Sequence, residues 1–151
     1  MRKPEIVAIA PQSTEHHADW RRLRKSYEAS YRVTIDATTT DLSWPRLRNP
    51  REPMFGLVAL IDDKVVGIVH ALFHRSTWTQ RDYCYLPDLF TDEAQRNKGI
   101  GCALIEAVYR EARQRGTSRV YWLTRDSNAT VIALYEKVAS RTGFIQYRHV
   151  L

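Results

Sequence analysis

Residues 86–104 read LPDLFTDEAQRNKGIGCAL, and the course of the backbone through them decides the fold. An apolar run ending at Phe90 and Thr91 reads as a strand, and a polar turn follows it. From Gly99 onward the period becomes helical: Ile100, Leu104, Val108 and Ala112 share one face, while Glu106, Arg110 and Arg113 point away. Two glycines, Gly99 and Gly101, open this helix. They let a ligand approach the backbone closely, and the free N–H groups and positive dipole end there favour an anion such as a pyrophosphate. The dinucleotide pattern G-x-G-x-x-G fails because Leu104 stands where its third glycine belongs, and no Gly-Lys-Ser/Thr of a P-loop occurs. What remains is R-x-x-G-x-G: Arg96, Asn97, Lys98, Gly99, Ile100, Gly101.

Upstream, residues 55–61 and 64–73 are β-rich runs joined by Asp62-Asp63, a pair suited to a two-residue hairpin, and residues 82–91 make a third antiparallel strand. Residues 6–9 read as a first strand closed by Pro11. Ser13 or Thr14 is expected to cap a helix that carries Trp20, Leu23, Tyr27 and Tyr31 at spacings of three and four. Residues 38–48 suggest a short helix interrupted by Pro45. Downstream, Gly116 ends the helix begun at Gly99. A strand over 119–124, a helix over 129–138 and a last strand over 144–150 follow. The order β-α-α-β-β-β-α-β-α-β predicts an α/β fold with a mixed, mostly antiparallel sheet flanked by helices. With no repeat or long linker, residues 1–151 read as a single domain.

Composition narrows the function classes. A 44% hydrophobic and 26% charged chain is neither disordered nor collagen-like. Lys and Arg number 23 against 17 acidic residues, a net charge of +6. Such an excess suits a phosphate-bearing partner, although a solvated Arg-rich surface explains it as well. The absence of a helix-turn-helix, a paired Cys/His finger or an RRM aromatic motif weighs against a nucleic-acid partner. Cys84 and Cys102 are too few for a disulfide framework, and neither they nor His16, His17, His70 and His149 have metal-ligand spacing, so no metal is expected. Apolar stretches fall far short of the roughly 18 residues a membrane span needs. Residues 1–30 carry no secretory pattern, so a cytoplasmic location is expected and no membrane partner.

The loop at Arg96–Gly101 resembles the acetyl-CoA pyrophosphate loop of the GNAT N-acetyltransferase superfamily, preceded by that family's fourth strand. Asn128, Ala133, Leu134, Tyr135 and Gly143-Phe144 resemble its later motif N-x-x-x-x-A-L-Y…G-F. Residues 73–78 (FHRSTW), 85–91 (YLPDLFT) and 135–139 (YEKVA) are similar to the branch of fungal histone and D-amino-acid acetyltransferases. The resemblance spans essentially the whole chain, with its specific motifs confined to residues 86–144.

The resemblance implies an N-acetyltransferase that moves an acetyl group from acetyl-CoA to a primary amine by direct transfer in a ternary complex. It further implies cofactor contacts from Leu89, Phe90 and Thr91, from the loop Arg96, Asn97, Lys98, Gly99, Ile100, Gly101 and Cys102, and from Asn128. An amine with a pKa near 10.4 is neutral in only about one part in 2,500 at pH 7, so a proton must be removed before attack. Asp88 is the nearest carboxylate on the strand, and strand alternation leaves its direction open. Tyr135 is implied as the acid for the departing thiolate, and a core tyrosine on a helix face is the alternative. Asn128 also stands where a helix cap belongs. Pro87 lacks an N–H, which is consistent with a bulge that splays the strands. Relatives acting on polyamines often carry Glu at that position, so its loss weakens the case for a polycationic substrate.

Tyr27, Tyr31, Trp44 and Trp78 are candidate walls of an acceptor pocket, and the same aromatics would serve equally as core. His74 and Arg75 are candidates for an acceptor carboxylate. The acceptor is expected to be a small amine or amino acid, with a histone-like lysine peptide as the alternative. A catalytically silent acyl-CoA-binding module and a basic nucleic-acid-binding domain are the competing functions. An uncovered sheet edge leads to the expectation of a homodimer.

Overall fold

The computed structural model describes residues 2–151. Strands β1 (Glu5–Ala8), β2 (Met54–Ile61), β3 (Lys64–His74), β4 (Tyr83–Thr91) and β5 (Val120–Tyr121) form one sheet in sequence order. The first four are antiparallel and β5 joins β4 in parallel, giving the mixed sheet expected. Four helices accompany it: α1 (His17–Tyr31), α2 (Ala37–Arg48), α3 (Ile100–Gln114) and α4 (Ala129–Val138).

Residues 55–60 of β2 are all buried, a run that only a strand covered on both faces can bury. Side chains alternate across it. Phe55, Leu57 and Ala59 join Leu104, Ile105 and Val108 of α3, whereas Val58 and Leu60 join Trp20 and Leu23 of α1 and Trp44 and Leu47 of α2. Each large side chain taken from water contributes about 1.5–3 kcal/mol. The α3 stripe Ile100, Leu104, Val108 and Ala112 is buried as its spacing predicts. The helix closes with Gly116 N–H bonding Arg113 O and Thr117 N–H bonding Ala112 O. Asp62 and Asp63, at φ 52 and 61, make the tight hairpin turn.

Four expectations are corrected. The cap of α1 falls on His16, whose side chain caps nothing. Ser13 instead ties the preceding turn, accepting from Ala10 N–H at 3.0 Å and donating to Ala8 O at 3.4 Å. Pro45 does not interrupt α2, because burial of Trp44 and Leu47 on either side offsets the roughly 3 kcal/mol a mid-helix proline costs. Of the expected strand 119–124, only Val120 and Tyr121 pair. Residues 144–150 join no sheet, and Phe144, Ile145, Tyr147 and Val150 are 78, 76, 88 and 77% exposed. Their β propensity counts only with a partner strand, and α4 ends at an extended Ala139 (φ −151, ψ 177) instead of a turn that would fold the chain back.

Candidate active site

The sheet opens where β4 and β5 part. They share two pairs, Cys84 with Val120 and Tyr85 with Tyr121, and beyond Tyr85 the backbone of β4 pairs only with β3. A bulge lies at this point. His70 faces Asp88 and Leu72 faces Tyr85, so Leu86 and Pro87 together oppose Ala71. Proline has no N–H to give a ladder, which is why the irregularity sits on Pro87. Leu89, Phe90 and Thr91 then run along a free edge. In an antiparallel pair, alternate residues turn their N–H outward, leaving donors available to a ligand.

The strand runs into a 3-10 turn over Glu93–Gln95, capped by Asp92 Oδ1 accepting from Ala94 N–H at 3.2 Å. Arg22 of α1 donates to Asp92 Oδ2 at 2.9 Å and to Val65 O of β3 at 3.2 Å, tying the turn to both helix and sheet. Asn97 and Gly99 both take the left-handed conformation, at φ 62 and 78. Gly99 is the cap residue of α3 and no side chain caps the helix, so its first-turn N–H groups are open. A Cβ on Gly99 would meet nothing within 4 Å. Lys98 Nζ donates to Gln95 at 2.8 Å, and the Arg96 guanidinium lies 5.7 Å over the Phe90 ring. Ile100 anchors the helix start in the core, and Gly101 brings it near Leu134 of α4. Cys102 is a half-buried free thiol. A bare helix N-terminus, an open left-handed cradle and two flanking cations fit a diphosphate.

Tyr135 comes from α4 and packs edge-on against Trp122, ring centroids 5.2 Å apart. Burial, with a smaller contribution from Tyr31, pushes its phenol up to about 12. It is therefore a neutral donor throughout the physiological range. Asn128 takes the cap position of α4, but its side chain makes no capping bond, which corrects the expectation of a cap.

Asp88 points toward α1. Tyr27 donates its hydroxyl to Oδ1 at 2.8 Å, and Oδ2 lies 2.9 Å from His70 Nδ1 and 3.9 Å from Arg24 Nη1. Burial alone would raise this carboxyl, but the His70 and Tyr27 hydrogen bonds and the Arg24 charge outweigh it and hold it below the usual carboxylate range. Tyr27 packs against Tyr31 with ring centroids 4.7 Å apart, the rings tilted by 38°.

The remaining acceptor candidates separate. Trp44 is buried, stacked on His17 at 4.7 Å and against Trp20 at 5.1 Å, so it is core and lines no pocket. Trp78 is 76% exposed, and Arg75 extends into solvent beside Asp82. His74 Nε2 is held by the Tyr121 hydroxyl at 2.7 Å. A recess of about 400 Å³ lined by Ser26, Ala29, Ser30, Phe90, Asp92 and Glu93 lies between α1 and the end of β4. A depression of about 440 Å³ between α3 and α4 includes neither the loop nor Asp88. Among the described residues no cluster of three or more His, Cys, Asp or Glu is arranged to hold a metal ion. Sequence reasoning missed Trp20, Arg24 and His70. The one signal for them was a histidine inside the apolar run of β3, since a buried polar group needs a partner.

Residues 20–139 match the model of the Acetyltransferase (GNAT) family. The chain is 31% identical to the D-amino-acid N-acetyltransferase HPA3 of Saccharomyces cerevisiae over 145 residues, covering 95% of this chain and 88% of that protein. It is 30% identical to the L-ornithine N5-acetyltransferase NATA1 of Arabidopsis thaliana over 63% of this chain and 42% of that protein. Among solved structures, AAC(6')-Iy in complex with a CoA-S-monomethyl-acetylneamine bisubstrate analog superposes with a TM-score of 0.84 at 16% identity, covering 99% of each chain. The aminoglycoside acetyltransferase meta-AAC0020 from an uncultured soil metagenomic sample gives 0.81 at 18% identity, covering 98% of this chain and 96% of that one. At such identities the likeness is one of fold.

Proposed function

Because this chain belongs to the acetyltransferase (GNAT) family and is an N-acetyltransferase, we propose that it acetylates the primary amine of a small amine or amino acid. The family uses acetyl-CoA as co-substrate, which supplies an acetyl group activated as a thioester. In this reading the open N-terminus of α3, from Gly99 to Cys102, with Arg96, Asn97 and Lys98, receives the diphosphate. Leu89, Phe90 and Thr91 offer backbone donors to the thioester oxygen, and Asn128 contributes from the start of α4. The observation that carries the reading is the uncapped α3 behind a left-handed Gly99 at the end of the splayed strand.

The chemistry then needs one proton removed and one returned. Asp88 takes the proton of the acceptor's ammonium, directly or through a water. The amine nitrogen bonds to the acetyl carbon as the carbon–sulfur bond breaks, and Tyr135 protonates the departing thiolate. Tyr27 and Tyr31 line the acceptor's approach. Trp78 and Arg75, both at the surface, are the substrate contacts with the weaker support. An amino-acid acceptor is favoured by the likeness to HPA3 along nearly the whole chain, and a lysine peptide is the second arm of the test.

The reading extends to a single-domain enzyme that works in the cytoplasm as a homodimer. The unpaired thiols of Cys84 and Cys102 suit a reducing compartment. The exposed apolar run 144–151 and the edge position of β5 suit a second copy. Initial velocities with acetyl-CoA and amine varied together test the transfer: intersecting double-reciprocal lines are expected, and parallel lines contradict it. Light scattering at micromolar concentration should give twice the chain mass, and the monomer mass contradicts the dimer.

A further inference from the structure

A polar chain runs from buried Trp20 through His70 and Asp88 to Tyr27. Trp20 Nε1 lies 2.9 Å from His70 Nε2, His70 Nδ1 lies 2.9 Å from Asp88 Oδ2, and Tyr27 O–H donates to Asp88 Oδ1 at 2.8 Å. An indole N–H can only donate, so His70 Nε2 carries the lone pair and Nδ1 carries the proton. That proton points at Asp88. Trp20 is 0% and His70 4% exposed, while the Asp88 side chain, the outer end of the chain, keeps 24%. His70 and Asp88 are also directly paired across β3 and β4, on the last regular rung before the bulge at Leu86 and Pro87.

We propose that His70 is a positioning residue, fixed in one tautomer by the Trp20 indole, which holds Asp88 as an oriented anion for the acceptor's ammonium. The proposal rests on the role given to Asp88 above. In the step it serves, an ammonium N–H bond breaks and an O–H bond forms on Asp88, while the proton on His70 Nδ1 stays in place. A histidine that merely filled space in β3 would need a partner for each nitrogen, but not a carboxylate at the open edge of the sheet. The groups facing Asp88 are Arg24 and Tyr27 from α1, His70 from β3 and Tyr85 along β4. Of these, His70 alone is held on its far side by a second side-chain hydrogen bond, from the Trp20 indole.

The test follows the Asp88 carboxyl carbon by NMR from pH 3 to 8, alongside the pH dependence of kcat and the affinity for acetyl-CoA. His70→Phe should raise the Asp88 midpoint by about one pH unit, and the acidic limb of kcat should move with it. Acetyl-CoA affinity should hold. His70→Asn places an amide donor where Nδ1 stands and should restore most of the shift. Should His70→Phe fail to fold, the double variant Trp20→Phe/His70→Phe also removes the orphaned indole N–H and is read in the same way. An Asp88 midpoint unchanged in the Phe variants, or a loss of rate equal at every pH, overturns the proposal. A wild type that acetylates no amine, while its Asp88 midpoint still moves on substitution, overturns the proposed function and leaves the His70 coupling standing.

Discussion

Gly67 of β3 lies so close to the start of α3 that a Cβ there would fall 2.8 Å from Ile100 Cγ2 and 3.0 Å from Leu104 Cδ1. The sheet and the N-terminal end of α3 are therefore one packed unit. Gly67→Ala should cost about 1–3 kcal/mol through overpacking, read as a lower midpoint of thermal unfolding. It should also weaken acetyl-CoA binding, because Ile100 cannot yield without moving the loop. An unchanged midpoint and affinity would show that the contact relaxes freely.

Gly99 presents the opposite case. Space in front of it is open, and only its φ of 78 requires glycine. Gly99→Val strains the backbone by roughly 1–3 kcal/mol and puts a branched side chain into the open space where the proposed function seats the diphosphate. Calorimetry should find acetyl-CoA binding lost while the circular dichroism stays that of a folded chain. Retained affinity would remove the loop from the site.

Tyr135→Phe deletes one oxygen. If the hydroxyl protonates the thiolate, kcat should fall by about 10²-fold or more, with acetyl-CoA affinity within about twofold of wild type. Its phenol is held up at about 12, so the acid form persists and kcat should show no descending limb from this group below about pH 11. Equal loss of rate and affinity would make Tyr135 a cofactor contact or a core residue.

Asp88 also contributes to stability, with a definite sign. Its carboxyl titrates below the usual range in the folded chain. The stabilisation is therefore complete above the unfolded carboxylate's pKa of about 3.9 and is lost as pH falls through the lower folded value. Tyr27→Phe removes the bond to Oδ1 and should destabilise by about 0.5–1.5 kcal/mol at pH 7. The gap between wild type and variant should narrow as pH drops toward 3. Denaturant midpoints at several pH values check this, and a constant gap would contradict the linkage.

Much of the fold was legible because its signals are local. The helical stripe from Ile100 to Ala112, the Asp62-Asp63 turn and the bulge at Pro87 each follow from residue types at short spacing. The errors share a cause in tertiary context. Residues 144–150 have strand propensity without a strand to join, and Pro45 lies in a helix stabilised by the tryptophan and leucine on either side of it. The same limit applies to the site. The glycine loop is contiguous and could be read, whereas Asp88, His70, Trp20 and Tyr27 are drawn together from three elements. No spacing in the sequence predicts that Trp20 would fix a histidine 50 positions away.

The central claim is acetyl transfer from acetyl-CoA to a small amine. Its most direct test is CoA release measured across D- and L-amino acids, polyamines, aminoglycosides and lysine-rich histone-tail peptides. The account predicts turnover with amino acids or small amines, sensitive to Tyr135→Phe and Gly99→Val. Acetyl-CoA binding with no turnover on any acceptor would contradict it and leave an acyl-CoA-binding module in its place.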